Sequence, residues 1–217
     1  MRVQVVQNVL KLNDEIAALN RDRLRQAGVF AVDLLGGPGC GKTALIEATL
    51  RRLAPPLRVG VIVGDLTTQR DADRMARFTD NVVQVNTGKG CHLEAHHVKE
   101  AMARIDIASL DLLFIENVGN LICPVGFDLG QHVKVGMFCT ADGDDKAAKH
   151  PYIVQESELL LLNKIDLLPH VPFNLQLFRD DISRLNPGVR LLEISAFTGA
   201  GLEHWLAWLE QRRTAEH

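Results

Sequence analysis

Gly36-Gly37-Pro38-Gly39-Cys40-Gly41-Lys42-Thr43 fits the pattern G-x-x-x-x-G-K-[ST]. Glycines let the backbone curl until successive N–H groups point at phosphate oxygens, and a helix opening behind them adds its dipole. In such a loop the lysine, here Lys42, bridges the terminal phosphates, and the Thr43 hydroxyl ligates Mg²⁺. Cys40 reads as a small loop residue whose N–H matters, and Ala44 as neutral packing. A plain glycine-rich turn is the bland alternative. The apolar run before the loop and the helical run after it favour phosphate binding.

Asn163-Lys164-Ile165-Asp166 and Ser195-Ala196 each follow an apolar run. An aspartate carboxylate accepts from both the ring N–H and the exocyclic amine of guanine, whereas adenine offers no such donor pair. N-K-x-D alone also fits an ordinary strand-to-helix loop. Behind a phosphate loop and ahead of Ser195-Ala196 it points to GTP and GDP. Asp65 and Glu116 close two further apolar runs, at the sheet edge where ligands of open α/β folds collect. Either can hold Mg²⁺ directly or through water, and Asp65 can orient the attacking water. Capping a neighbouring helix is the alternative for each, and Asp71 is a weaker candidate of the same kind.

A second constellation suits a softer ion. Cys91-His92 fall at the expected start of a helix, whose dipole would favour thiolate, and Cys123 follows the Glu116 strand at the same edge. Thiolate and imidazole suit Zn²⁺ or Ni²⁺ far better than Mg²⁺. Taken singly, each is as readily a core or surface residue, and spacing leaves both readings open. His96 and His97 lie beyond, with His96 on the helical face of His92; they either assist or are solvated helix residues.

These residues need a scaffold that brings strand ends together. The runs Val29–Leu35, Val59–Val63, Val82–Val85, Leu112–Ile115, Val133–Cys139, Leu159–Leu162 and Leu191–Ile194 show little period-two alternation, as parallel strands covered on both faces do. Helical stretches at Lys42–Leu53, Arg70–Phe78, His92–Ile105, Asn174–Asn186 and Gly201–Arg212 alternate with them. The pattern predicts an α/β, doubly wound, mostly parallel sheet with helices on both faces. An N-terminal helix is expected over about residues 3–27, presenting Val6, Leu10, Ile16, Leu19 and Leu24, and ending at Gly28. Strand order is not readable. Without repeats or a linker, residues 1–217 read as one domain.

With 217 residues and a net charge of −3, the chain has a globular balance that predicts neither nucleic acid nor membrane binding. No apolar run reaches the ~20 residues a spanning helix needs. Four scattered cysteines and no signal peptide predict reduced thiols in a soluble, cytoplasmic chain.

Further motifs carry a resemblance. They are Gly64-Asp65-Leu66-Thr67-Thr68-Gln69-Arg70-Asp71-Ala72, Thr87-Gly88-Lys89-Gly90-Cys91-His92-Leu93, Phe114-Ile115-Glu116-Asn117-Val118-Gly119-Asn120-Leu121, Phe127-Asp128-Leu129-Gly130 and Asp142-Gly143-Asp144-Asp145-Lys146. Over nearly its whole length the chain resembles the HypB family, P-loop GTPases that help insert nickel into [NiFe]-hydrogenase. Glu116-Asn117 stands where most GTPases carry D-x-x-G. The resemblance implies slow GTP hydrolysis and a nucleotide-dependent homodimer, with Ni²⁺ or Zn²⁺ held near the subunit interface by Cys91, His92 and Cys123. It also implies a HypA-type metallochaperone and the hydrogenase large-subunit precursor as partners. Relatives with an N-terminal Cys-rich site and a histidine-rich tract have no counterpart here, so only the G-domain site carries over. A urease-type, UreG-like GTPase is the neighbouring reading, but its Cys-Pro-His motif would require histidine where Val125 follows Cys123-Pro124. Gly37 stands where related GTPases carry an extra lysine, so no lysine finger is expected. A metal carrier with negligible turnover is the reading from another class. A small-molecule kinase is disfavoured by Asn163–Asp166.

Overall fold

A computed structural model of the chain describes residues 10–53, 57–65 and 70–216. Seven strands form one sheet: β1 (Phe30–Gly36), β2 (Val59–Asp65), β3 (Val82–Asn86), β4 (Leu112–Glu116), β5 (Val133–Cys139), β6 (Leu159–Asn163) and β7 (Arg190–Glu193). Their spatial order is β3-β2-β4-β1-β5-β6-β7, and every pairing is parallel. The doubly wound parallel sheet expected from the alternating pattern is thus present, with every described pairing parallel. β1, β4, β6 and nearly all of β2 and β5 are buried along their length, which is why they lack alternation in sequence.

The helices are α1 (Lys11–Ala27), α2 (Lys42–Leu50), α3 (Arg70–Met75), α4 (Ala95–Met102), α5 (Lys146–Lys149), α6 (Pro151–Glu156), α7 (Leu175–Leu185) and α8 (Leu202–Ala215). Helices α2, α3 and α8 cover one face of the sheet through Leu45, Ile46, Met75, Trp205 and Trp208. On the other face α1 and α4 pack Leu24, Val98 and Met102, while α5 to α7 pack Ala147, Ile153, Phe178 and Ile182. Among the described helices, none is long and apolar enough to cross a membrane.

Two local expectations change, and one lies beyond the described residues. The opening of the predicted N-terminal helix, with Val6, lies outside the described residues. Within α1 the buried side chains are Asn13, Ala17, Asn20 and Leu24, whereas Leu19 stays exposed. The asparagines face inward because they bond loop backbone: Asn13 accepts from Ala95 N–H and donates to Asp128 O, both at 2.8 Å, and Asn20 donates to Ala95 O and Leu129 O. Gly130 allows this approach, since its φ is +90° and a Cβ there would meet the carbonyl of Ala17 at 2.6 Å. Helix α4 starts at Ala95, not His92. Glu94 caps it in a reciprocal box with His97, whose Nδ1 accepts from Glu94 N–H at 3.0 Å. The short α5 and α6, after the Asp142–Lys146 motif, had no periodicity long enough to announce them.

The register aligns the carboxyl ends of the strands. Glu116 stands opposite both Leu34 on β1 and Val63 on β2, and Cys139 stands opposite Asn163. The chain reverses its winding direction at β1, between β4 and β5, so the crevice beyond these ends is the expected ligand position.

Candidate functional site

The phosphate loop occupies the turn from β1 into α2, and Gly39 and Gly41 take φ values of +74° and +103°. A side chain at Gly41 would collide with Asn163, and one at Gly36 would lie 2.7 Å from Cys40 Sγ. Lys42 is buried, its ammonium donating to Gly36 O at 3.1 Å and Gly37 O at 3.3 Å. Cys40 is buried as well. Its N–H turns to Gly37 O, and burial pushes its thiol up to about 11, so it is no nucleophile. A cavity of about 420 Å³ opens here, lined by Pro38 to Ala44 (Cys40 apart), Asp65, Asp71, Arg74, Glu116 and Gly119.

The base-reading residues converge on the same loop. Asn163 Nδ2 donates to Cys40 O at 2.9 Å while its Oδ1 accepts from Ala196 N–H at 3.0 Å. Lys164 Nζ reaches Gly39 O at 2.6 Å. Among the described residues, Lys164 is the non-glycine residue with positive φ (61°), and its carbonyl is held by the Thr140 hydroxyl at 2.8 Å. Such a conformation costs energy and persists where neighbours fix it. The Ser195 hydroxyl donates to Asp166 Oδ1 at 2.5 Å, turning the carboxylate into one orientation. All the residues expected to hold nucleotide thus lie at one sheet edge.

Beside Lys42, the Thr43 hydroxyl donates to Glu116 Oε1 at 2.6 Å. Glu116 is 5% exposed, and Oε2 has no hydrogen-bond partner among the described residues. Burial pushes this carboxyl up to about 7, against the opposing pull of Lys42 and Thr43. A hydroxyl and an orphaned buried carboxylate oxygen, with Asp65 and Asp71 on the same cavity wall, are the oxygen donors a Mg²⁺ ion takes. The residues fit that ion.

Cys91, His92 and Cys123 also come together, each offering a ligand atom within 4.8 Å of the others. Cys91 Sγ lies 3.5 Å from His92 Nδ1. Tetrahedral ligation by thiolate and imidazole needs donor separations of about 3.5–3.8 Å, which the Cys91–His92 pair already meets. His92 Nε2 is buried with no hydrogen-bond partner among the described residues, 3.8 Å from Glu94 Oε1, and Phe127 covers the ring at 4.0 Å. The donor set fits a soft divalent ion. The expected helix-dipole activation of Cys91 is overturned, because Cys91 and His92 sit in the turn before α4. Instead the neighbouring Cys123 thiol, followed by burial, raises the Cys91 pKa. His96 does not share a helical face with His92. It lies 3.4 Å from Glu94, while His97 serves as a helix cap.

Asparagines that carried no individual role in the sequence reading join the two sites. Asn120 N–H donates to Gly36 O at 3.0 Å; its side chain donates to Cys91 O at 3.4 Å and accepts from Cys123 N–H at 3.3 Å. Asn117 accepts from Leu93 N–H at 3.0 Å. Gly119 packs on the phosphate loop so closely that a Cβ would lie 2.9 Å from Pro38 Cα. A polar residue directly after a strand-end carboxylate was the available signal.

Known proteins resemble the chain over the same extent. Residues 31–193 match the family model for the CobW/HypB/UreG nucleotide-binding domain. The chain is 43% identical over 211 residues to the hydrogenase maturation factor HypB of Azotobacter vinelandii, an overlap of 97% of this chain and 70% of that protein. HypB from Archaeoglobus fulgidus superposes with a TM-score of 0.87 at 38% identity, covering 93% of this chain and 98% of that one. HypB from Helicobacter pylori, crystallised in complex with nickel, superposes with a TM-score of 0.90 at 29% identity, covering 94% and 96%.

Proposed function

The chain belongs to the HypB family of hydrogenase maturation factors, within the CobW/HypB/UreG nucleotide-binding class, and we propose that it is a slow GTPase whose nucleotide state governs nickel delivery during [NiFe]-hydrogenase maturation. Guanine is read by Asp166, which Ser195 orients, and adenine would leave that carboxylate without its donor pair. Water attacks the γ-phosphate, oriented by Asp65, while Lys42 and the backbone N–H groups of the glycine loop stabilise the charge that develops. Mg²⁺, held by Thr43 and Glu116 with Asp65 alongside, would neutralise charge on the phosphate oxygens. No side-chain nucleophile takes part.

Nickel is the cargo, held by Cys91, His92 and Cys123, with Zn²⁺ the competing ion for the same donors. Three ligands leave a position open, which a second copy in a nucleotide-dependent homodimer fills. A HypA-type metallochaperone and the hydrogenase large-subunit precursor are the expected partners in transfer, in the cytoplasm.

One observation carries the coupling of nucleotide to metal. The segment Glu116–Cys123 begins on the hydroxyl of the phosphate-loop threonine and ends in the metal cluster. A γ-phosphate that draws on Glu116 therefore repositions a metal ligand, in the manner of switch loops. Titration of Ni²⁺ into the GDP-bound and GTP-analogue-bound protein tests this. Affinities differing by roughly five- to hundredfold are expected, with a reciprocal effect of Ni²⁺ on GTP binding. Equal affinities would leave two sites that share a scaffold and do not communicate.

A further inference from the structure

Between Glu116 and the metal cluster lies a buried amide whose side-chain hydrogen bonds go neither to the phosphate loop nor to the thiols. Asn117 is 1% exposed. Its Oδ1 accepts from the N–H groups of Leu93 at 3.0 Å and Val118 at 3.1 Å, and its Nδ2 donates to Asp33 Oδ1 at 3.2 Å. Its backbone N–H donates to Leu34 O at 3.2 Å. Two backbone donors identify Oδ1 and a carboxyl acceptor identifies Nδ2, so a flipped amide would oppose all three partners.

Asp33 gives that orientation its permanence. It is fully buried in the middle of β1, and Oδ2 has no partner among the described residues. A carboxyl in such a position destabilises the fold unless it serves a bond. The hydrogen bond its side chain makes, among the described residues, is with Asn117.

The far end of the link is equally constrained. Leu93 is fully buried next to His92 and wedged against β2, where a Cβ on Gly64 would lie 2.8 Å from Leu93 Cγ. The turn Thr87–His92 is in turn tied to Asp65, whose carbonyl accepts from Thr87 N–H at 3.0 Å. The metal turn is therefore pinned between the two strand ends that carry Asp65 and Glu116. One peptide separates Glu116 from Asn117, and one separates Leu93 from His92.

We infer that Asn117, its amide held in one orientation by buried Asp33, is the positioning residue that couples Glu116 to the Cys91–His92 turn. This rests on the coupling of nucleotide and metal proposed above, and it assigns that coupling to one side chain. Asn120 sets the spacing of Cys91 and Cys123 within the cluster. Asn117 sets the cluster's response to the nucleotide.

The test exchanges donor and acceptor. Asn117→Asp keeps the acceptor for Leu93 but sets a second carboxyl against Asp33. Adding Asp33→Asn restores one donor and one acceptor across the pair. The ratio of Ni²⁺ dissociation constants in the GDP-bound and GTP-analogue-bound protein is measured by isothermal titration. GTP affinity and thermal unfolding are followed in parallel. In Asn117→Asp the ratio should fall to within about twofold of unity, and the double variant should return it to the wild-type value of roughly five- to hundredfold. If the single variant does not fold, Asn117→Ala, which removes the link without adding charge, should show the same collapse. A wild-type ratio in either single variant overturns the inference while leaving the coupling intact. A folded double variant whose ratio stays at unity overturns it too. A ratio of unity in the wild-type protein removes the coupling itself and this assignment with it.

Discussion

The perturbed carboxyl of Glu116 makes the proposed Mg²⁺ site sensitive to pH. Burial raises it from 4.5 to about 7, with Lys42 and Thr43 pulling the other way. Protonation blocks ligation, so binding Mg²⁺ must release the proton. At pH 6 the group is roughly nine-tenths protonated, and removing the proton costs about 1.4 kcal/mol, or about tenfold in affinity. At pH 8 that cost falls below about 0.1 kcal/mol. Affinity of the GDP-loaded protein for Mg²⁺ should therefore tighten about tenfold from pH 6 to pH 8. Calorimetry in buffers of different ionisation enthalpy should record nearly one proton more released by the wild type than by Glu116→Gln at the lower pH. Glu116→Gln provides the control, because the terminal phosphate of the nucleotide titrates in both proteins and cancels in the difference. The variant should bind Mg²⁺ more weakly and without this pH slope. The reasoning fails if the wild-type affinity is flat across that range, or if Glu116→Gln retains the wild-type slope.

Asp166→Asn replaces an acceptor oxygen by a donor that opposes guanine. GTP affinity should fall by up to several kcal/mol while a xanthine nucleotide gains, read by direct titration. Wild-type protein that binds ATP as tightly as GTP would refute the base assignment. Cys123→Ser should remove most Zn²⁺ and Ni²⁺ affinity, measured by competition with a chelator, and unchanged affinity would show that the ligands lie elsewhere. Asp33, pushed up to about 7 by burial, binds a proton in the folded state that an ordinary carboxyl at 3.8 has already lost. Its cost is absent below about pH 4, grows as pH rises towards 7 and is complete above it. The difference in urea-unfolding stability between wild type and Asp33→Asn should therefore shift against the wild type from about pH 4 to 7 by up to about 1.4 kcal/mol per unit, a comparison in which the like contribution of Glu116 cancels.

The strands and the nucleotide grip were legible because their signals are local. An apolar run without alternation describes a strand covered on both faces, and glycines with Lys42 and Thr43 form one continuous segment. The proposed metal ligands were only half legible, since Cys91 follows β3 and Cys123 follows β4, the two strands that flank β2, and strand order leaves no trace in one sequence. The same limit hid Asp33 and Asn117, which are ordinary polar residues until the sheet sets β1 beside β4. The start of α4 was misjudged because His92 continues the apolar and polar rhythm of the helix, whereas the reciprocal cap between Glu94 and His97 fixes the first turn. In α1 the inward face was misread because Asn13 and Asn20 satisfy loop backbone from inside, a role that apolar periodicity cannot register.

The wedge of Leu93 against Gly64 also limits the substitutions a lineage could accept. A side chain at Gly64 requires a smaller residue at position 93, and shortening Leu93 loosens the turn that carries two ligands. Positions 64 and 93 are therefore constrained as a pair. A descendant that gave up metal but kept nucleotide would be free to vary them while Gly36–Thr43 and Glu116 stayed fixed. Loss of the cargo would first become readable in the buried residues behind the thiols, even in a chain that still carried both cysteines.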